Sequence, residues 1–199
     1  TRAPEVQRPM SQSTVMPGAH LPDPRREDLL VEVPVPPLRV VLVEPRIPPN
    51  VGAVSRICAA VGAPLVLVGP VTFREDHPAR RRAGLDYWHL VEKIHLQDFQ
   101  GLLRAYPEVG MHLFSTRAGS SLYEAVFSAG DLLIFGSEDD GLPGWIQDAH
   151  PEACVRIPMV RGVRSLNLSS AVAIGVFEAV RQLAAGKRPD GRPEVGEAS

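Results

Sequence analysis

The chain has 199 residues, 44% of them hydrophobic and 22% charged, which is room for one domain with its own core. No apolar run reaches the roughly 20 residues that span a bilayer, and Leu29-Leu30-Val31 is interrupted by Glu32 and Pro34, so neither a membrane span nor a signal peptide is expected and the cytosol is favoured. A net charge of −2 gives no global pull toward nucleic acid, so any such contact must come from local basic patches. The two cysteines, Cys58 and Cys154, read as small buried hydrophobes rather than as a disulfide.

Residues 1–37 hold eight of the 20 prolines, with scattered charge and no sustained periodicity, and read as a disordered arm. Leu38 to Val43 is a buried strand, Asn50 to Val61 a helix with Val51, Val54, Ile57, Cys58 and Val61 on its apolar side, and Pro64 to Val68 a second strand. Arg56 points away from that apolar side, between Gly52 and Ala59, so the helix is expected to expose a face of small residues. Trp88 to Ile94 reads as a strand, Leu96 to Tyr106 as a helix, Met111 to Ser115 as a strand, and Leu122 to Phe127 as a short helix or irregular turn. Asp131 to Phe135 is another strand, Pro143 to Ala149 a short helix and Ala153 to Ile157 the last strand. From Leu168 the apolar or small residues fall at 168, 171, 172, 175, 176, 179, 180 and 183, the core face of a long helix ending near Ala185. Gly186 to Ser199 reads as a flexible tail. Strand and helix in alternation imply an α/β domain over residues 38–185, a mainly parallel sheet with helices on both faces.

Ligands of such sheets bind beyond the carboxyl ends of the strands. Three loops begin there: Glu44 to Asn50, Gly136 to Pro143, and Pro158 to Asn167. Gly136 and Gly141 allow the backbone to close around a ligand and offer amides and carbonyls to an adenine edge. Asn167 is the natural N-cap of the long helix, and Ser165, Ser169 and Ser170 add hydroxyls at the same positive helix end. Ser165 is less well explained by capping. Arg80-Arg81-Arg82, with Arg74 nearby and Tyr87-Trp88 following, put positive charge beside aromatic surface, the kind of patch that contacts phosphate and stacks an unpaired base. Trp88 is equally well read as turned into the core. Arg161 and Arg164 extend the basic surface, because a loop so poor in other side chains has no packing need for two cations. The six histidines lack paired zinc spacing, and no Walker loop or Gly-x-Ser-x-Gly elbow occurs.

Arg156-Ile157-Pro158-Met159 and Ser165-Leu166-Asn167-Leu168-Ser169 resemble the third motif of the SPOUT superfamily, specifically its TrmH-like branch of RNA ribose 2′-O-methyltransferases. Pro48-Pro49-Asn50-Val51-Gly52, with Arg56 six residues after Asn50, resembles the first motif, and Phe135 to Pro143 the second. With Arg81-Arg82-Ala83-Gly84-Leu85-Asp86-Tyr87, the likeness is to the small enzymes that modify a cytidine or uridine at the tRNA wobble position. It covers roughly residues 38–185. The resemblance implies an α/β knot with the C-terminal helix threaded through a loop, a homodimer with its site at the two-fold interface, S-adenosylmethionine as methyl donor, and tRNA as substrate.

It also implies roles for particular residues. The cofactor cradle would be Phe114, Ser115, Thr116, Gly136, Ser137, Glu138, Ile157, Met159, Ser165 and Leu166; the catalytic set Arg56, Glu138, Ser165 and Asn167; and the RNA contacts Asn50, Arg81, Arg82, Tyr87, Arg161 and Arg164. Glu138 is either structural or faces the ribose, and Asn167 either caps its helix or orients the target oxygen. The family's arginine has been assigned the role of general base. A guanidinium keeps its proton, so Arg56 is read as a bidentate clamp on phosphate and developing alkoxide, with water, a phosphate oxygen or a transiently neutral arginine left open as proton acceptor. Asp139-Asp140 replaces the Thr-Arg of many close relatives, which removes a basic RNA contact at Asp140. No metal is expected, since methyl transfer needs none and adjacent turn carboxylates are usually solvated. The alternatives are a ribosomal RNA methyltransferase of the same family and a non-catalytic RNA-binding module.

Overall fold

The computed structural model describes residues 33–71 and 85–184. Seven strands form one sheet: β1 (Arg39–Val43), β2 (Leu65–Val68), β3 (Lys93–Leu96), β4 (Met111–Phe114), β5 (Ser120–Ser121), β6 (Leu132–Phe135) and β7 (Cys154–Arg156). Their order is β3-β2-β1-β6-β4-β7-β5, and every pairing is parallel, so the mainly parallel sheet expected from sequence is wholly so. In the centre Val41 sits in register with Val66 of β2 on one side and Ile134 of β6 on the other. Both faces of the central strands are buried, which is why they read as unbroken apolar runs.

Among the described residues four α-helices cover the two faces: α1 (Pro48–Val61), α2 (Phe99–Ala105), α3 (Gly144–Ala149) and α4 (Leu168–Ala184). On one face Val40, Leu42, Leu65, Leu67, Leu133 and Phe135 meet Val51, Val54 and Cys58 of α1 and Val172, Val176 and Ala179 of α4. On the other, Val41, Val43, Val66, Val68 and Ile134 meet Phe99 and Leu102 of α2 and Ile146 of α3. Alternate residues of each strand serve opposite layers. Burial pushes the Cys58 thiol up to about 12, so it stays protonated and packs as a hydrophobe.

Several boundaries differ from the sequence reading. Trp88 to Ile94 is not one strand: Leu85–Leu90 is a 3-10 turn, and the strand starts at Lys93. Trp88 within the turn and Val91 just after it are both buried. Trp88 thus belongs to the core rather than to a stacking surface. Helix α2 starts later than expected because Asp98 caps it, accepting from the Gly101 amide at 2.7 Å. β5 went unseen; it is two serines at a sheet edge, held by pairing with β7. At the amino end, Val33 packs against the core, Pro37 is buried, and the Pro37 carbonyl accepts from the Gly130 amide at 2.9 Å, so residues 33–37 belong to the domain rather than to the arm. Gly52, expected on an exposed small-residue face, is buried, because α4 and residues 85–90 both pack against α1. Among the described residues no helix is long and apolar enough to cross a membrane.

Candidate functional site

The chain leaves β1 toward β2 and β3 on one side, while β6, β4 and β7 lie on the other. The carboxyl ends of β1 and β6 therefore flank a topological switch point, where open α/β sheets form a crevice. A cleft of about 520 Å³ opens at this end of the sheet, between the loops after β4, β6 and β7 and the lead into α4. All ten residues of the expected cofactor cradle line it.

Its walls depend on close backbone approach. A Cβ on Gly136 would collide with the backbone of Gly141 and Leu142. Gly141, at φ 67°, turns the chain so that Ser137 and Gly141 exchange amide bonds of 3.2 and 3.0 Å. Beneath lie the stacked rings of Phe114 and Phe135, centroids 4.3 Å apart. Gly175 of α4 makes room for that stack, since a Cβ there would come within 2.6 Å of the Phe114 ring.

One hydrogen-bond chain ties the three motif loops together. Glu138 accepts from the amides of Arg46 (2.9 Å) and Ile47 (3.1 Å) and from Asn50 Nδ2 (2.9 Å). Asn50 Oδ1 in turn accepts from Asn167 Nδ2 at 3.0 Å. Asn167 Oδ1 caps α4, accepting from the Ser169 amide at 2.9 Å and the Ser170 amide at 3.4 Å. Burial would raise the Glu138 carboxyl, but hydrogen bonds from Asn50, Arg46, its own amide and Ile47 outweigh it and hold the group below its usual value. Glu138 is therefore a carboxylate whose oxygens are occupied by the loop after β1, and Asn50, expected at RNA, is its partner.

The other expected residues are more dispersed. Ser165 is exposed on the cleft wall. Arg56 stands on the outer side of α1, away from the cleft lining, with its guanidinium 4.9 Å from the ring centre of half-exposed Tyr87. Arg164 lines the cleft, whereas Arg161 is exposed in the loop outside it. Arg74, Arg80, Arg81 and Arg82, with both terminal segments, lie outside the described residues. Asp139 and Asp140 face Arg46, at 3.6 and 2.7 Å; these exposed pairs contribute about 1 kcal/mol or less.

Two polar lining residues, Arg117 and Gln147, escape the sequence reading, and a third, Arg156, enters it only as a letter of the third motif, without a role. Gln147 accepts from Ser115 Oγ at 2.6 Å and donates to the Leu142 carbonyl at 2.7 Å. No local pattern announces it, because its partner Ser115 is 32 residues away.

Comparison with known proteins places this geometry. The SpoU rRNA Methylase family matches residues 37–177. A tRNA (cytidine(34)-2′-O)-methyltransferase of Burkholderia pseudomallei (strain 1106a) is 45% identical over 146 residues, covering 72% of this chain and 94% of the relative. A solved structure concerned with 2-OH methylation of C/U34 on tRNA is 44% identical with a TM-score of 0.70, covering 74% of this chain and 97% of the other. An AdoMet-bound rRNA methyltransferase from Sinorhizobium meliloti is 25% identical with a TM-score of 0.63, covering 73% of this chain and 56% of the other. The matched span includes the loops after β1 and β6 and the start of α4, whose side chains meet at Asn50, and the chain belongs to the SpoU rRNA Methylase family.

Proposed function

We propose that this protein methylates the ribose 2′-hydroxyl of the wobble nucleotide, cytidine or uridine 34, of tRNA, with S-adenosylmethionine as donor. The observation that carries the reading is the Glu138–Asn50–Asn167 chain, which ties the loop after β1 to the two other motif loops, and those two line one cleft at the carboxyl end of the sheet. The relatives named above supply the substrate class. The cleft volume falls within the ordinary range for small-molecule sites, about 300–1,000 Å³, and Gly136 lets its loop fold back on Gly141 and Leu142 to form the cleft wall. Bound S-adenosylmethionine supplies a methyl group on a cationic sulfur that becomes a neutral thioether on transfer.

The protein's own task is placement. Gly136, Ser137, Ile157, Met159 and Leu166 shape the cradle, and Ser165 stands on its wall, where it can orient the target oxygen. Glu138 and Asn167 are positioning residues in this reading. Arg56 grips phosphate and the developing alkoxide through its planar fork, with Tyr87 holding the guanidinium.

A homodimer reconciles Arg56 with the cleft, because a two-fold axis can bring the outer side of α1 in one protomer to the cleft of its partner. Half-exposed Ile174 and Phe177 of α4, with exposed Val163 and Leu166 before it, offer apolar surface for that contact. The wound path of the family's knot accompanies this assignment. Radiolabelled methyl transfer to bulk tRNA and, separately, to ribosomal RNA tests the reading: label in tRNA alone is expected, and label confined to ribosomal RNA would reassign the substrate.

A further inference from the structure

Gln147 sits on α3 with its amide between two loops of the cleft, and its orientation is not arbitrary. A backbone carbonyl only accepts, so the side-chain group facing Leu142 O at 2.7 Å must be the NH2 end. That leaves Oε1 facing Ser115 Oγ at 2.6 Å, and Oε1 also only accepts, so the serine proton is committed to Gln147. Ser115 Oγ meanwhile accepts from the Arg117 amide at 3.1 Å. Of the two lone pairs on the hydroxyl one is left, with no proton to give. Ser115 and Gln147 both line the cleft.

We infer that Gln147 is a specificity-determining residue: by taking the Ser115 proton it makes that hydroxyl an obligate acceptor, so the cleft favours a ligand bearing a hydrogen-bond donor at that point. The inference rests on the reading of the cleft as the S-adenosylmethionine site. The donor chemistry is then that of adenosine, either its exocyclic amine or a ribose hydroxyl. Gln147 acts through Ser115 and through the position of the Leu142 carbonyl.

The test is calorimetric binding of S-adenosylhomocysteine and of analogues that lose one donor each: a purine with hydrogen in place of the 6-amine, and fluorine in place of either ribose hydroxyl. In the unaltered protein one of these arms should bind about tenfold more weakly than the parent, the worth of one hydrogen bond, and which arm does so identifies the donor. In Gln147→Leu the serine proton is released and can serve an acceptor on the ligand, so that discrimination should shrink toward parity. A purely structural role would weaken parent and analogues alike and leave the ratio unchanged, which would overturn the inference, as would an absence of discrimination in the unaltered protein.

Gln147→Glu supplies a second readout. Its ionised carboxylate satisfies Ser115 but sets an oxygen against the Leu142 carbonyl, and protonation restores a donor there, so its affinity relative to the unaltered protein should recover as pH falls. A pH-independent deficit would count against the role. Failure of the unaltered protein to bind S-adenosylhomocysteine at all would instead remove the cofactor reading on which this stands.

Discussion

Glu138 accepts three hydrogen bonds from the loop after β1, and its replacement by glutamine turns one accepting oxygen into an NH2 group facing donors. Glu138→Gln should therefore cost about 1–3 kcal/mol, the penalty of leaving such groups unpaired, seen as a lower melting temperature at neutral pH. The pH dependence follows from the lowered carboxyl. The stabilisation is fully present above the ordinary glutamate value near ~4.3 and is lost as pH falls through the depressed folded-state value. The gap between the two proteins should thus narrow on acidification, and a gap that stays constant would show that the carboxylate charge is not what matters. Arg56→Ala should leave cofactor binding near normal, because the cradle is drawn from the loops after β4, β6 and β7 and Arg56 is read as gripping the RNA. It should cut single-turnover methyl transfer about a hundredfold, for roughly 3 kcal/mol of lost transition-state stabilisation. Arg56→Lys should rescue little, since an ammonium lacks the planar fork; near-normal transfer by the alanine variant would make Arg56 an ordinary surface residue. At this scale the sequence names Glu138, Asn50 and Asn167 but not their mutual bonds. Those join residues 88 and 117 positions apart, and local spacing carries no such information.

Elements were more legible than their ends. The long apolar period of α4 and the unbroken runs of β1, β2 and β6 stand out because burial on a helix stripe or on both sheet faces imposes a pattern. β5 imposes none, being two edge serines, and Leu85–Leu90 hides because a 3-10 turn can present the same aromatic and apolar letters as a strand. The loop after β6 is the element on which the cleft depends most. Gly136 allows it to fold back against Gly141, and a Cβ would meet backbone atoms that cannot rotate away. Gly136→Ala should lower the melting temperature and weaken S-adenosylhomocysteine binding at least tenfold, measured by thermal denaturation and calorimetry. Gly141→Ala should be milder, since nothing lies near its missing Cβ and only its φ of 67° is strained. Equal tolerance of both changes would show that the loop refolds freely and does not set the cleft.

At the scale of the molecule, the buried Gly52 removes one argument for a partner, the exposed small-residue face of α1, and leaves the apolar side of α4 as the stronger one. The chain should run as a dimer in light scattering at micromolar concentration, and Phe177→Glu should shift it toward monomer with loss of methyl transfer but not of fold. A monomer that methylates RNA at full rate would exclude a shared site. The parallel sheet and its ligand-binding end were legible from strand and helix alternation, whereas the apolar surface of α4 was not, because Ile174 and Phe177 fall off the stripe of buried residues, on the opposite side of the helix, where the core pattern carries no information. The central claim is methylation of one hydroxyl on one nucleotide. Two otherwise identical tRNAs, one with ribose and one with 2′-deoxyribose at nucleotide 34, incubated with the protein and S-adenosylmethionine carrying a labelled methyl group, test it most directly. Label should enter the ribose tRNA at nucleotide 34 and be absent from the deoxy tRNA; equal labelling of both would contradict the account.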